Sequence, residues 1–158
     1  MSFKDYLKEQ ENLVESDVMS KSKEEIEKWL DSMKIKNYTI DKYLTVNVNG
    51  DVDLKNKNIK EIPVQFGKVT GFFSIGGNKK LISLVGSPNE CEEFSCANCT
   101  SLKSLVGATK ECTDFYCNDC TSLTSLVGSP EKSEEFSCSG CVGKFTEEGV
   151  LEVCNAKK

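Results

Sequence analysis

Along the first fifth of the chain apolar residues recur every three or four positions. Phe3, Tyr6, Leu7, Leu13, Val14 and Val18 place one stripe on residues 2–19, the pattern of an amphipathic helix. A second helix is predicted from Ser22, whose spacing to Glu25 has the capping-box form in which each side chain bonds the other residue's backbone N–H. Ile26, Trp29, Leu30 and Met33 supply its apolar stripe. Neither helix is long enough to be stable alone, so each must bury its stripe against the rest of the chain or a partner. From Tyr38 the period falls to two. Tyr43, Thr45 and Asn47 alternate with Leu44, Val46 and Val48 ahead of Asn49 and Gly50, which predicts a strand and a tight turn.

Beyond Val52 the pattern becomes a repeat. Leu81 to Pro88, Leu102 to Thr109 and Leu123 to Pro130 share the form Leu-x-Ser-Leu-Val-Gly, 21 residues apart. The other half of each unit keeps step as Phe94, Cys96 and Cys99, then Phe115, Cys117 and Cys120, then Phe136, Cys138 and Cys141. One step back, Phe73, Ile75 and Asn78 occupy the same places. A further step finds Val52 and Leu54, with Ile59 and Ile62 as the two return-segment apolar residues if one residue is inserted. About five coils are expected between Val52 and Cys141. Phe94 and Cys96 lie two apart and so share the buried face of a strand, Cys99 marks the bend, and Leu102 and Leu105 line the return segment. Gly86, Gly107 and Gly128 are expected at tight turns, and Pro88 and Pro130 stop a full helix there. Stacked in parallel about 4.8 Å apart, five strands make a rod of roughly 20–25 Å.

The cysteines allow a rival reading. Cys96, Cys99, Cys117 and Cys120 have the C-x2-C-x17-C-x2-C spacing of a four-cysteine zinc site. The same slots accept Ile75, Leu54 and Asn78, the pair Cys138 and Cys141 would be left over, and Phe and Leu repeat in the same register, which metal binding does not require. The cysteines are therefore read as small buried hydrophobes stacked in ladders, with no metal or cofactor expected.

Composition narrows the chemistry. All 20 basic residues are lysine, there is no histidine, and the formal charge is −5. Histidine relays and mixed Cys/His zinc sites are excluded, as is bidentate arginine recognition of phosphate or guanine. The acidic balance argues against nucleic acid as partner. No apolar run reaches the length of a membrane span, and Met1 to Gln10 lacks the run of a signal peptide, so a reduced cytoplasmic setting is expected. Charge is segregated: residues 34–80 carry nine lysines and four acids, residues 81–141 three lysines and nine acids.

The unit Cys91-x-x-Phe94-x-Cys96-x-x-Cys99-x-x-Leu102-x-x-Leu105 resembles the leucine-rich repeat position by position. Together with Trp29, Leu30, residues 37–40, 44–54 and 58–59, Ile62, Pro63 and residues 66–69, it is similar to short leucine-rich-repeat-like proteins of tailed bacteriophages, over roughly residues 26–154. The chain departs from that pattern by carrying Cys at the bend, where Asn is commoner, and by losing the Leu pair after Cys141. Lys144 stands where the first leucine would fall. The resemblance implies an α+β chain built around a short leucine-rich-repeat-like parallel β solenoid with a 21-residue period. Residues 1–37 would form an N-terminal helical segment, 38–142 the solenoid with its leading strand, and 143–158 a cap and tail in which Phe145 and residues 146–154 cover the last coil.

What it implies for function is a non-enzymatic protein-binding module: a phage protein that binds and modulates a host or viral protein, in the host cytoplasm. The candidate surface follows from strand alternation. Glu93, Asp114 and Glu135 fall at one outward position in successive coils, with Ser95, Tyr116 and Ser137 beside them, and Tyr116 and an exposed Phe72 as anchors. Ser74 and Gly76 are expected on the same outward face. The alternative is a thiol-dependent protein, either a structural four-cysteine zinc module or a redox-active Cys-x-x-Cys protein. A redox role would need a depressed thiol pKa, usually from a helix N-terminus or an adjacent cation, whereas Cys96, Cys117 and Cys138 lie on strands with acids nearby, which works against thiolate.

Overall fold

A computed structural model describes residues 21–142 and residue 145. The helix expected over 2–19, and the cap expected over 143–158 apart from Phe145, lie outside the described residues. Helix α1 (Lys23–Ser32) begins as the sequence predicts: the Ser22 hydroxyl accepts the Glu25 N–H at 3.2 Å, and the Glu25 carboxylate accepts the Ser22 N–H at 2.7 Å. Ile26 and Leu30 enter the same buried cluster as the rest of the chain, and Trp29 meets Phe66 edge to face, centroids 6.4 Å apart.

The run expected as a strand from Tyr38 is divided. Strands β1 (Tyr38–Ile40) and β2 (Thr45–Val48) form an antiparallel hairpin. Between them the Asp41 carboxylate accepts the N–H groups of Tyr43 at 2.8 Å and Thr45 at 3.0 Å. A carboxylate offering two acceptors to nearby backbone competes with the extended chain. Leu44 takes a left-handed φ of 62°, and Tyr43 swings out to 75% exposure instead of alternating along a strand.

The rest of the described chain, from Val52 on, winds as a parallel β solenoid. Strands β3 (Val52–Asp53), β5 (Phe73–Ser74), β6 (Glu93–Ser95), β7 (Asp114–Tyr116) and β8 (Glu135–Ser137) form a five-stranded sheet in that order, every neighbouring pair parallel and offset by 21 residues. A second ladder precedes it in each coil. Strand β2 pairs in parallel with β4 (Gln65–Val69), and single bridges carry the ladder on through Lys68, Glu90, Glu111 and Lys132.

Side-chain columns fill the space between the two ladders. Phe73, Phe94, Phe115 and Phe136 stack nearly parallel, with centroid spacings of 5.5, 5.0 and 5.1 Å. Ile59 and Ile62 are buried where Leu81 and Leu84, then Leu102 and Leu105, stand in the next coils, and the first bend, from Asn56 to Ile59, is one residue shorter than the bend from Gly77 to Leu81. The bend itself needs a left-handed residue once per coil. Asn56, Gly77, Asn98, Asp119 and Gly140 fill that place with φ of 55°, 72°, 61°, 56° and 73°, and Gly, Asn and Asp are the residue types that tolerate this conformation best.

Candidate functional site

The outward face of the main sheet is built by alternation: because Phe94, Phe115 and Phe136 point in, their neighbours on either side point out. Glu93 pairs in register with Asp114, and Asp114 with Glu135; in the adjacent column Ser95 pairs with Tyr116, and Tyr116 with Ser137. Glu135 is exposed and the other five are half-buried. Tyr116 stands among the three acids. Its phenol is pushed above its ordinary range of about 10 by partial desolvation, then by the charges of Asp114, Glu135 and Glu93 and a side-chain hydrogen bond with Glu135. Behind this row Asn118 Oδ1 accepts the Ser137 hydroxyl at 2.6 Å, the Ser139 hydroxyl at 3.0 Å and the Ser139 N–H at 2.9 Å, tying the last coil to the one before.

Toward the first coils the face closes. Phe72 is half-buried, not exposed as the sequence suggests: it lies at the corner before β5, where its N–H donates to Asp51 Oδ1 at 3.1 Å and its carbonyl accepts the Val52 N–H at 2.8 Å. Ser74 is only 5% exposed. Its small side chain sits between Asp53 and Ser95 on the neighbouring strands. Gly76 is buried beneath Ala97, whose carbonyl oxygen a Cβ at residue 76 would approach to 2.9 Å. The open part of the surface is therefore the β6 to β8 end.

Beside the phenylalanine stack the thiols form two columns, one just after the strands and one at the bend. At the bend each sulfur donates to a strand carbonyl of the preceding coil: Cys99 to Ile75 O at 3.4 Å, Cys120 to Cys96 O at 3.2 Å and Cys141 to Cys117 O at 3.1 Å. Asn78 serves the first bend, donating to Leu54 O at 2.9 Å and Ile75 O at 2.6 Å while accepting the Ile59 N–H at 3.0 Å. Burial raises the Cys99 thiol to about 12 and the Cys91 thiol to about 11. Cys96, Cys99, Cys117 and Cys120 are fully buried, and among the described residues no three Cys, Asp or Glu side chains converge in an arrangement that could hold a metal ion.

Sequence reasoning missed the second ladder. Lys68 pairs with Glu90 at 3.0 Å and Lys132 with Glu111 at 3.0 Å, so two acids are flanked by two lysines along the corner of the solenoid. A shallow groove of about 570 Å³ lies there, with Asp41, Asn47, Lys68, Glu90, Lys110 and Glu111 in its walls. The near-constant spacing of Lys68, Glu90, Glu111 and Lys132 was its only sequence signal, because one residue inserted between Lys68 and Glu90 hides it. No helix among the described residues is long and apolar enough to cross a membrane. Compared with known proteins, no family model, no curated protein and no solved structure matches the chain.

Proposed function

We propose that this chain is a non-enzymatic protein-binding scaffold that presents the outward face of β6, β7 and β8 to its partner. One observation carries the reading: Glu93, Asp114 and Glu135 stand in register on neighbouring strands beside the column of Ser95, Tyr116 and Ser137. Like charges directly opposite each other weaken a sheet, so the arrangement costs stability that a cationic partner would offset. The stacked phenylalanines and the bend hydrogen bonds tie the strands beneath to one another. Such a surface fits a protein carrying a short row of lysine or arginine and a shallow pocket for the Tyr116 ring, and aromatic residues are common anchors of interfaces. The resemblance to short leucine-rich-repeat-like phage proteins supports a phage protein that modulates a host or viral protein in the host cytoplasm.

The test compares partner capture from native host lysate by the wild-type chain and by the triple variant Tyr116→Ala, Glu93→Lys and Asp114→Lys. Capture is lost while the melting temperature stays within a few degrees of wild type. Retained capture by the folded triple variant removes the sheet face as the binding surface.

A further inference from the structure

The thiol columns end differently from the way they begin. Cys96, Cys99, Cys117 and Cys120 are fully buried, whereas Cys138 and Cys141 in the last coil are half-buried and reachable from solvent. Cys117 and Cys138 follow directly on the registered pair Tyr116 and Ser137, and the Cys117 N–H donates to Ser137 O at 2.9 Å. Neighbouring parallel strands lie about 4.8 Å apart, inside the window of about 4.4–6.8 Å between Cα atoms that a disulfide spans. Among the described residues strand β8 pairs on one side only within its sheet. Cys141 is not equivalent, since its thiol already donates to Cys117 O.

We propose that Cys117 and Cys138 are a dithiol oxidised to a disulfide by small hydroperoxides, with Cys138 as the attacking and Cys117 as the resolving thiol. The Cys138 thiolate attacks the terminal peroxide oxygen. The O–O bond breaks, and the departing alkoxide or hydroxide takes up a proton, which leaves Cys138 as a sulfenic acid. The Cys117 sulfur then attacks the Cys138 sulfur as it loses its own proton. The S–O bond breaks, and hydroxide departs with that proton as water. Two thiols and one hydroperoxide become one disulfide, one alcohol or water and one further water, the sulfur pair being oxidised by two electrons and the peroxide reduced by two.

The electrostatics of the pair agree with these roles. The hydrogen bond from Cys117 draws the Cys138 thiol down to about 7, although partial burial opposes it, and Cys117 is pushed upward by the same bond and by burial. The more solvated sulfur therefore holds the charge. Burial raises Cys141 to about 11. The lower basicity of Cys138 reduces its nucleophilicity but does not cancel its larger thiolate fraction, which leaves Cys138 the more reactive of the two thiols near neutral pH.

The experiment uses the full wild-type chain. Reduced protein is treated with one equivalent of hydrogen peroxide, remaining thiols are blocked with iodoacetamide, and peptides are mapped without reduction. A cross-linked peptide joining Cys117 to Cys138 is expected, together with the loss of two titratable thiols per chain and their recovery on dithiothreitol treatment. In a parallel run without peroxide, the rate of Cys138 alkylation rises with a midpoint near pH 7. A disulfide joining any other pair, a product of Cys138 held at the sulfenic or sulfinic stage, or Cys138 alkylation no faster than that of Cys141 overturns the proposal. Because the mapping is done on the wild-type chain, the result does not depend on whether Cys138→Ser folds.

Discussion

The rings of Phe94 and Phe115 lie 5.0 Å apart and only 4° from parallel, stacked by the same 21-residue step that separates the two residues in sequence. Each ring is fully buried, so each contributes both its own transfer from water and the contacts of its two neighbours in the stack. Phe115→Ala is expected to cost about 3–5 kcal/mol. Phe136→Ala should cost less than half of that, because Phe136 ends the stack and is only half-buried. Urea unfolding of the two variants measures the difference, and equal losses would mean that the stack is not the main source of stability in these coils.

Asn78 and the cysteines below it in the bend column do the same task with different capacity. Asn78 satisfies two carbonyls and one N–H, while Cys120 reaches a single carbonyl, Cys96 O. Removing Asn78 strands three buried backbone groups, whereas removing a bend thiol strands one. Asn78→Ala should therefore lose about 2–3 kcal/mol, and Asn78→Cys should recover only part of it, because a thiol has no acceptor to match an amide oxygen toward Ile59 N–H. Thermal melts that place Asn78→Cys level with wild type would refute this account of the bend.

The 21-residue period makes the solenoid, its strand positions and its bend legible in the sequence, because a repeat states the same packing constraint several times over. The break at Asp41 to Leu44 is not legible there, since Tyr43, Leu44 and Thr45 keep a strand-like alternation and only the reach of the Asp41 carboxylate ends it. Burial of Ser74 and Phe72 is equally hidden. Alternation assigns a face, but how far a side chain on that face meets water depends on its cross-strand neighbours and on where the strand begins, and β5 begins one residue after Phe72. The outward registers of Glu93, Asp114 and Glu135 are fully legible, because parallel in-register stacking admits no other arrangement.

Gly128 sits where one coil passes close to the next. Its φ is 93°, and a Cβ added there would come within 2.3 Å of the Leu105 carbonyl carbon and oxygen, which are backbone and cannot swing away. Gly50 also has a positive φ, 133°, but a Cβ there meets nothing within 4 Å. Gly128→Ala thus combines left-handed strain with a backbone collision and is expected to cost at least about 3 kcal/mol, against about 1–2 kcal/mol for Gly50→Ala, where only the strain acts. Chemical denaturation of both variants separates the two contributions.

The acidic column is expected to trade stability for recognition, and Asp114 is where the trade can be read. It stands directly between Glu93 and Glu135 in the sheet, so neutralising it removes two opposed like-charge pairs at once. Asp114→Asn should raise stability by a few tenths of a kcal/mol, more at low ionic strength than at high, because these groups are partly exposed and salt screens them. The same change removes one of the charges that hold the Tyr116 phenol above its ordinary range. Difference titration at about 295 nm, where phenolate absorbs, against a Tyr116→Phe chain should place the Tyr116 transition above that of an unperturbed tyrosine in the wild type and shift it down in Asp114→Asn. The sign follows from the charge: neighbouring carboxylates disfavour phenolate, so fewer of them make ionisation easier. An unchanged transition, or a loss of stability that salt does not affect, would mean that the carboxylates do not act on one another or on Tyr116 across the strands.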